Sequence, residues 1–160
     1  MSLNKEVEKI VSKSSLDELI EAKWLIENPE YSERPVDIET FVNHPFYLNL
    51  KFTINGKKGF GCRPRILERL KDVFDGSVKF EEFVFMCGIG WGKDFAASIV
   101  LTYVLYQLQC LKDPASFHGL AKGSNIHLML MSISETHARD VLFGEVKAKI
   151  DNSDWFRSNC

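Results

Sequence analysis

The chain has 160 residues, of which 45% are hydrophobic and 26% are charged, and its formal net charge is −2. These values exclude collagen-like, low-complexity and wholly disordered classes, and the length predicts one domain or part of a larger one. No apolar run approaches the ~20 residues of a membrane helix, and residues 1–6 lack a secretory core. We therefore expect a soluble, intracellular protein.

The cysteines and the charge pattern narrow the possible partners. Four cysteines, widely spaced, show no CxxC pair, so free thiols are expected rather than zinc ligands or disulfides. The four histidines show no ligand spacing either, and no structural metal is predicted. Residues 51–71 hold seven basic side chains and one acidic one. This block is compatible with a surface for an anionic partner such as DNA and equally with a solvated basic face.

The first fifty residues read as helical. Residues 5–28 have helical apolar spacing in two pieces, the second starting after Ser15 and ending before Pro29. A linker with two prolines follows over residues 29–36. Asp37 is placed to cap a short helix that His44 and the next proline end.

A hairpin and a helix are predicted next. Over residues 50–60, apolar and polar residues alternate around Asn55-Gly56, a pair that favours a tight turn. Pro64 suits the first turn of an amphipathic helix that runs to Phe74 and stops at Asp75.

The remainder alternates between apolar runs and helical patterns. Residues 83–87 and 126–131 resemble strands buried on both faces, and residues 93–111 and 135–150 have helical periodicity. The order strand, helix, strand, helix predicts an α/β layer with parallel strands.

One motif with a specific chemistry lies between the first of these strands and the following helix. Residues 87–94 read CGIGWGKD, close to the phosphate-binding (Walker A) pattern G-x-x-x-x-G-K-[ST]. Gly92 and Lys93 fit, whereas Cys87 replaces the first glycine and Asp94 replaces the hydroxyl residue. Glycines let several amides face one anion at a helix N-terminus, and the lysine reaches the β- and γ-phosphates.

The departures from the pattern have physical consequences. Asp94 is a hard oxygen ligand that can hold Mg²⁺, but its charge near the phosphates should weaken binding when metal is absent. Trp91 is expected to pack on the loop, with shielding of a nucleotide or contact with a partner as the alternatives. The pattern in its context predicts nucleotide binding, and the alternative is a glycine-rich turn with a chance lysine.

Several segments together carry a resemblance to a known family. They are WLIENP at 24–29, RPVDIETF at 34–41, HPFYL at 44–48, RPRIL at 63–67, MSIS at 131–134, THAR at 136–139 and WF at 155–156. With the loop, they make the chain resemble the N-terminal part of the large subunit of a tailed-bacteriophage DNA-packaging terminase.

The resemblance implies an architecture and an activity. It implies a P-loop NTPase-type three-layer α/β/α fold, incomplete here, with a helical N-terminal segment over residues 1–50. Residues 51–160 would be the first part of the ATPase domain. The activity implied is that of the ATP-binding part of a viral DNA-packaging motor, working in the cytoplasm of a bacterial host during virion assembly.

The resemblance also implies site residues, cofactors and partners. ATP and Mg²⁺ are the implied cofactors, with Lys93 as the catalytic residue and Asp94 as the metal ligand through the nucleotide. Double-stranded DNA, the portal and the small terminase subunit are the implied partners, and self-association is expected from apolar edges left exposed. The nucleotide-binding residues carried over are Gly88, Ile89, Gly90, Trp91, Gly92, Lys93, Asp94 and, more loosely, Arg65.

Parts that the family needs are missing from this sequence. No apolar run ends in the Asp-Glu pair that holds the metal through water and activates the attacking water, and nuclease carboxylates are absent. Glu135 is better explained as a first-turn helix acid. We therefore expect nucleotide binding with little or no hydrolysis. A non-catalytic interaction module with a degenerate P-loop is the alternative, and a small-molecule kinase would need an arginine-rich lid that the chain lacks.

Overall fold

The computed structural model describes residues 16–54, 57–75, 82–86, 88, 90–129, 131–132 and 134–159. The described residues fall into two compact units, one of residues 16–35 with 109–126 and one of residues 36–108 with 127–159. The domain boundary predicted at residue 50 stays a prediction. None of the helices in the described ranges has the length and hydrophobicity that a membrane crossing needs.

The described elements are mostly helical. The helices are α1 (Leu16–Glu27), α2 (Ile38–Asn43), α3 (Pro64–Phe74), α4 (Lys93–Gln109), α5 (Pro114–Phe117), α6 (Gly144–Asp151) and α7 (Asp154–Asn159). A π-helical segment, His137–Phe143, leads directly into α6, and the strands are β1 (Lys51–Ile54) and β2 (Lys57–Phe60). The predicted helical piece before Ser15 lies outside the described residues.

In the first unit, the predicted linker is tied to the chain that follows α4. Tyr31 forms an antiparallel bridge with Leu111. The Ser32 amide donates to the Cys110 carbonyl at 2.7 Å, and the Lys112 amide donates to a carbonyl of the linker at 2.9 Å. The Trp24 and Tyr31 rings meet edge to face at 5.0 Å. Residues 30–32 are therefore held by regular backbone hydrogen bonds.

The short helix α2 confirms its predicted cap. The Asp37 carboxylate accepts the Thr40 amide at 2.9 Å and the Thr40 hydroxyl at 2.7 Å. Partial burial raises the pKa of Asp37, but these hydrogen bonds outweigh it and leave the pKa below its ordinary value. The helix ends at Asn43, and the His44 amide closes it on the Thr40 carbonyl, as the sequence predicts.

The hairpin and α3 are also confirmed. The strands β1 and β2 pair antiparallel with Lys51 opposite Phe60 and Ile54 opposite Lys57. The predicted Asn55-Gly56 turn lies outside the described residues. Helix α3 starts at Pro64 and buries Ile66 and Leu70. The buried face of α3 therefore fixes the position of Arg63, the residue just before the helix.

The core of the second unit is aromatic and is built around α4. The Tyr106 ring stacks on Phe41 at 4.8 Å and meets Trp155 edge to face at 4.7 Å. Both backbone polar groups of Val36 are hydrogen-bonded to tyrosine side chains of α4 as well. The Val36 amide donates to the Tyr106 hydroxyl at 2.9 Å, and the Tyr103 hydroxyl donates to the Val36 carbonyl at 2.8 Å. The turn of α4 that carries Tyr103 and Tyr106 is thereby fixed in the core.

The two predicted strands are not confirmed. Among the described residues, β1 and β2 form the only sheet, and neither 83–86 nor 126–129 belongs to a β-ladder. The expectation that these runs are buried on both faces is wrong for the side chains described, because Val84 is 75% exposed and Met86 is 94% exposed. Cys87 and Leu130 lie outside the described residues. The three-layer arrangement stays a prediction.

Candidate functional site

The glycine-rich loop forms a turn that leads into α4. Gly90 and Gly92 have positive φ values of 80° and 97°, a region that favours glycine. The Trp91 amide donates to the Gly88 carbonyl at 3.3 Å, which closes the turn. The Gly92 carbonyl then accepts the Ala96 amide at 2.9 Å and starts the helical hydrogen-bond ladder.

The N-terminus of α4 is the electropositive end of the site. The helix has 17 residues from Lys93 to Gln109, and its first amides have no carbonyl partner within the helix. Those amides and the partial positive charge of the helix end favour an anion beside Gly92 and Lys93. The turn and the helix N-terminus agree with the motif, whereas the strand predicted before the loop is not formed over the described residues 83–86.

Helix α3 approaches the loop closely at one point. A Cβ built on Gly92 would lie 3.3 Å from Cδ1 of Ile66 and 4.0 Å from Nη1 of Arg63. Ile66 is buried, so it has little room to move. Gly92 therefore meets two separate requirements, a left-handed backbone and a close contact with α3. This contact also brings the Arg63 guanidinium to the loop.

A cavity of about 570 Å³ opens in front of the loop. That volume lies within the range of roughly 300–1,000 Å³ for small-molecule sites. The walls come from the loop, the start of α4, the residue before α3, the π-helical segment and α6. The lining residues are Arg63, Gly88, Gly90, Trp91, Gly92, Lys93, Asp94, Phe95, Val141 and Glu145.

The charged side chains of the cavity are balanced. Lys93 and Arg63 supply two cations, and Asp94 and Glu145 supply two carboxylates. A cavity with both signs suits a ligand that brings an anion and a cation together, because each has a counter-charge in reach. The two carboxylates come from different elements, the first turn of α4 and the first turn of α6.

Asp94 has a histidine neighbour from the π-helical segment. Its Oδ1 lies 3.8 Å from Nε2 of His137, and both side chains are about one-third exposed. The carboxylate also remains part of the cavity wall. A π-helical turn is rare and frequently marks a functional site.

Glu145 is held by a buried lysine. Its Oε2 lies 2.8 Å from Nζ of Lys149, one helical turn further along α6, and the Lys149 side chain is only 6% exposed. The same ammonium lies 4.6 Å from the centre of the Phe95 ring, in the first turn of α4. Lys149 thus joins α6 to the start of the helix that carries the loop.

Trp91 packs on a neighbouring ring and also borders the cavity. Its ring lies 5.8 Å from the ring of Phe85, and its side chain is partly buried. The packing interpretation is supported by the contact with Phe85, and contact with a bound molecule stays a prediction.

The structure brings most of the predicted site residues together. Gly88, Gly90, Trp91, Gly92, Lys93 and Asp94 all line one cavity. Ile89 lies outside the described residues. Arg65 is exposed on α3 and is not part of the cavity wall, whereas its neighbour Arg63 is. The contact of Arg65 with a base stays a prediction.

The site residues named from the sequence omit four wall residues: Arg63, Phe95, Val141 and Glu145. Phe95 could have been inferred from its position one residue after the motif. Val141 and Glu145 carry no local signal, because only tertiary packing brings residues 141–145 to the loop. Within the described ranges, no group of three or more histidine, cysteine or acidic side chains could hold a metal on its own.

Comparison with known proteins decides the family. Residues 9–159 match the family model described as "Uncharacterized protein MJ0330, N-terminal P-loop domain". The chain belongs to this family of P-loop domains. The match covers nearly the whole sequence, including the glycine-rich loop. No curated protein and no solved structure gave a significant match.

Proposed function

We propose that this P-loop domain binds ATP as its Mg²⁺ complex, with the phosphates held by the loop of residues 88–94. The observation that carries the proposal is the cavity itself. It joins two left-handed glycines, a helix N-terminus and Lys93 on one wall. Membership of a P-loop family supports the same assignment.

The phosphate contacts follow from the loop geometry. Left-handed glycines turn successive amides towards one side, and the α4 N-terminus adds its partial positive charge. In this proposal Lys93 contacts the β- and γ-phosphates. Arg63, which reaches the loop from the residue before α3, supplies a second cation.

The donor set at the cavity suits a magnesium–phosphate complex. Mg²⁺ is usually held by one or two carboxylates together with waters and substrate phosphates, and Asp94 is a carboxylate in the position of the usual hydroxyl. When bound, the metal ion neutralises phosphate charge and orients the phosphate chain. Asp94 would hold it from the first turn of α4.

The resemblance to a terminase large subunit points to a more specific function, that of a motor. We propose ATP binding as part of a DNA-packaging terminase large subunit, with double-stranded DNA, the portal and a small subunit as partners. The terminase-like segments of the sequence and the basic block over residues 51–71 support this motor function. Since the sequence lacks an Asp-Glu strand, we expect ATP binding by this chain with little or no hydrolysis.

Calorimetric titration of the folded protein with ATP and Mg²⁺ tests the proposal. Lys93→Ala removes a charge-assisted contact worth about 1.5–3 kcal/mol, so it should weaken binding by about 10- to 100-fold. Lys147→Ala is the matched control, because Lys147 is exposed, pairs with Asp151 on α6 and does not line the cavity. It should bind as the wild type does.

The alternative function gives a different result. If the folded wild-type protein shows no saturable heat with Mg²⁺ and ATP, the loop is degenerate and the chain is better described as a non-catalytic interaction module. If Lys147→Ala weakens binding as much as Lys93→Ala, the nucleotide is bound somewhere other than the cavity. Either result contradicts the proposal.

A further inference from the structure

Glu145 is the one wall residue whose charge opposes phosphate binding without belonging to the loop. It lines the cavity from the first turn of α6, together with the loop residues that attract an anion. A carboxylate in that place repels a bare phosphate chain, yet it is also a ligand of the kind that a divalent cation or its bound water accepts. The arrangement therefore distinguishes a phosphate ligand that carries a divalent cation from the same ligand without one.

The position of Glu145 is fixed rather than accidental. Lys149 binds Oε2 at 2.8 Å, is itself buried, and lies over the ring of Phe95. Of this ion pair only Glu145 lines the cavity, so the cavity meets the negative end of the pair. The second carboxylate oxygen, Oε1, is not the atom engaged by Lys149.

The charge balance of the cavity points the same way. On the wall, Arg63 and Lys93 face Asp94 and Glu145, and Lys149 behind the wall offsets part of the Glu145 charge. A metal-free nucleotide gains two cations there but meets two carboxylates. A nucleotide that carries Mg²⁺ brings a cation for the carboxylates, so all four side chains contribute favourably.

We infer that Glu145, held by Lys149, makes nucleotide binding depend on a divalent cation: it excludes metal-free ATP and accepts the Mg²⁺ complex. This inference rests on the proposed function. It assigns Glu145 as a specificity-determining residue that acts together with Asp94, from an element 50 residues away from the loop in sequence.

The experiment compares affinities for ATP with excess Mg²⁺ and for ATP with a chelator present. The wild type should prefer the Mg²⁺ complex, and Glu145→Gln should reduce that preference by about tenfold, mainly by binding metal-free ATP more tightly. Glu135→Gln is the matched control, because Glu135 is exposed, pairs with Arg139 and does not line the cavity. Its preference should equal that of the wild type.

A second variant separates charge from packing. Glu145→Asp keeps the carboxylate and should keep the Mg²⁺ preference within about threefold, with circular dichroism confirming the fold. An unchanged preference in Glu145→Gln, or an equal loss in Glu145→Asp, overturns the inference while leaving Mg²⁺–ATP binding by the wild type intact. If the wild type binds neither form of ATP, the proposed function fails, and this inference fails with it.

Discussion

Substitution of Gly92 by alanine tests the local structure of the loop most sharply. Gly92 has a φ of 97°, where an L-residue is strained, and it closes the turn before α4. An added Cβ would also lie 3.3 Å from Cδ1 of the buried Ile66. Gly88 offers a matched control in the same loop, because a Cβ there would meet nothing within 4 Å and its φ is not in the left-handed region.

The magnitude follows from these two features. A non-glycine residue in a sparsely populated backbone region costs about 1–3 kcal/mol, and the contact with Ile66 adds to that cost. A loss of about 2 kcal/mol lowers the melting temperature of a domain of this size by about 4–8 °C. Gly88→Ala should stay within about 2 °C of the wild type.

Thermal unfolding followed by circular dichroism measures both variants under the same conditions. Mg²⁺–ATP binding, measured in parallel, should be weakened in Gly92→Ala even well below its melting temperature, since the amides of the loop are then displaced. Equal melting temperatures for Gly92→Ala and the wild type would refute the left-handed turn. So would a Gly88→Ala protein as unstable as Gly92→Ala.

Three further predictions concern the wall, the core and a buried thiol. Arg63→Ala should weaken Mg²⁺–ATP binding about tenfold in a calorimetric titration, whereas Arg65→Ala should change it by less than about twofold, because only Arg63 lines the cavity. Tyr106→Phe leaves the Val36 amide without its acceptor and should lower the unfolding free energy by about 1–3 kcal/mol in urea. Burial raises the pKa of the Cys62 thiol to about 11, so at pH 8 the native protein has about 100-fold less thiolate there than an ordinary cysteine. Peptide-resolved mass spectrometry of thiol alkylation should show slow labelling of Cys62 that accelerates as the pH rises towards 11, and fast labelling at neutral pH would contradict its burial.

Local signals in the sequence were sufficient for several elements. Asp37 places a side-chain acceptor three residues before the Thr40 amide, and Pro64 fixes the first turn of α3, so both helices begin where the sequence predicts. The hairpin follows from alternation around a turn pair. In each case the deciding interaction lies within a few residues of chain.

Local sequence signals do not predict the structure of the apolar runs at 83–87 and 126–131. A short apolar run acquires its structure from the chain beside it, and nothing within the run specifies a partner. Val84 and Met86 are largely exposed among the described residues, which no periodicity rule foresees. The π-helical turn from His137 to Phe143 is likewise invisible in a pattern that predicts a continuous helix.

The residues of the candidate site also fall into those that the sequence identifies and those that depend on tertiary packing. The loop residues from Gly88 to Asp94 form a continuous motif, so the sequence identifies them directly. Glu145 and Lys149 depend on how α6 packs against the start of α4, a contact between residues about 50 positions apart. Whether Arg63 or Arg65 lines the cavity depends on the path of the chain into α3.

The central claim, that the loop binds the phosphates of Mg²⁺–ATP, is tested most directly by amide NMR. On titration with Mg²⁺ and ATP, the largest amide shift changes should fall on Gly90, Gly92 and Lys93, with little change at Gly119 and Gly123, glycines that do not line the cavity. Saturable changes confined to the loop and the start of α4 are the predicted result. Changes centred on other residues, or none at saturating nucleotide, would contradict the account.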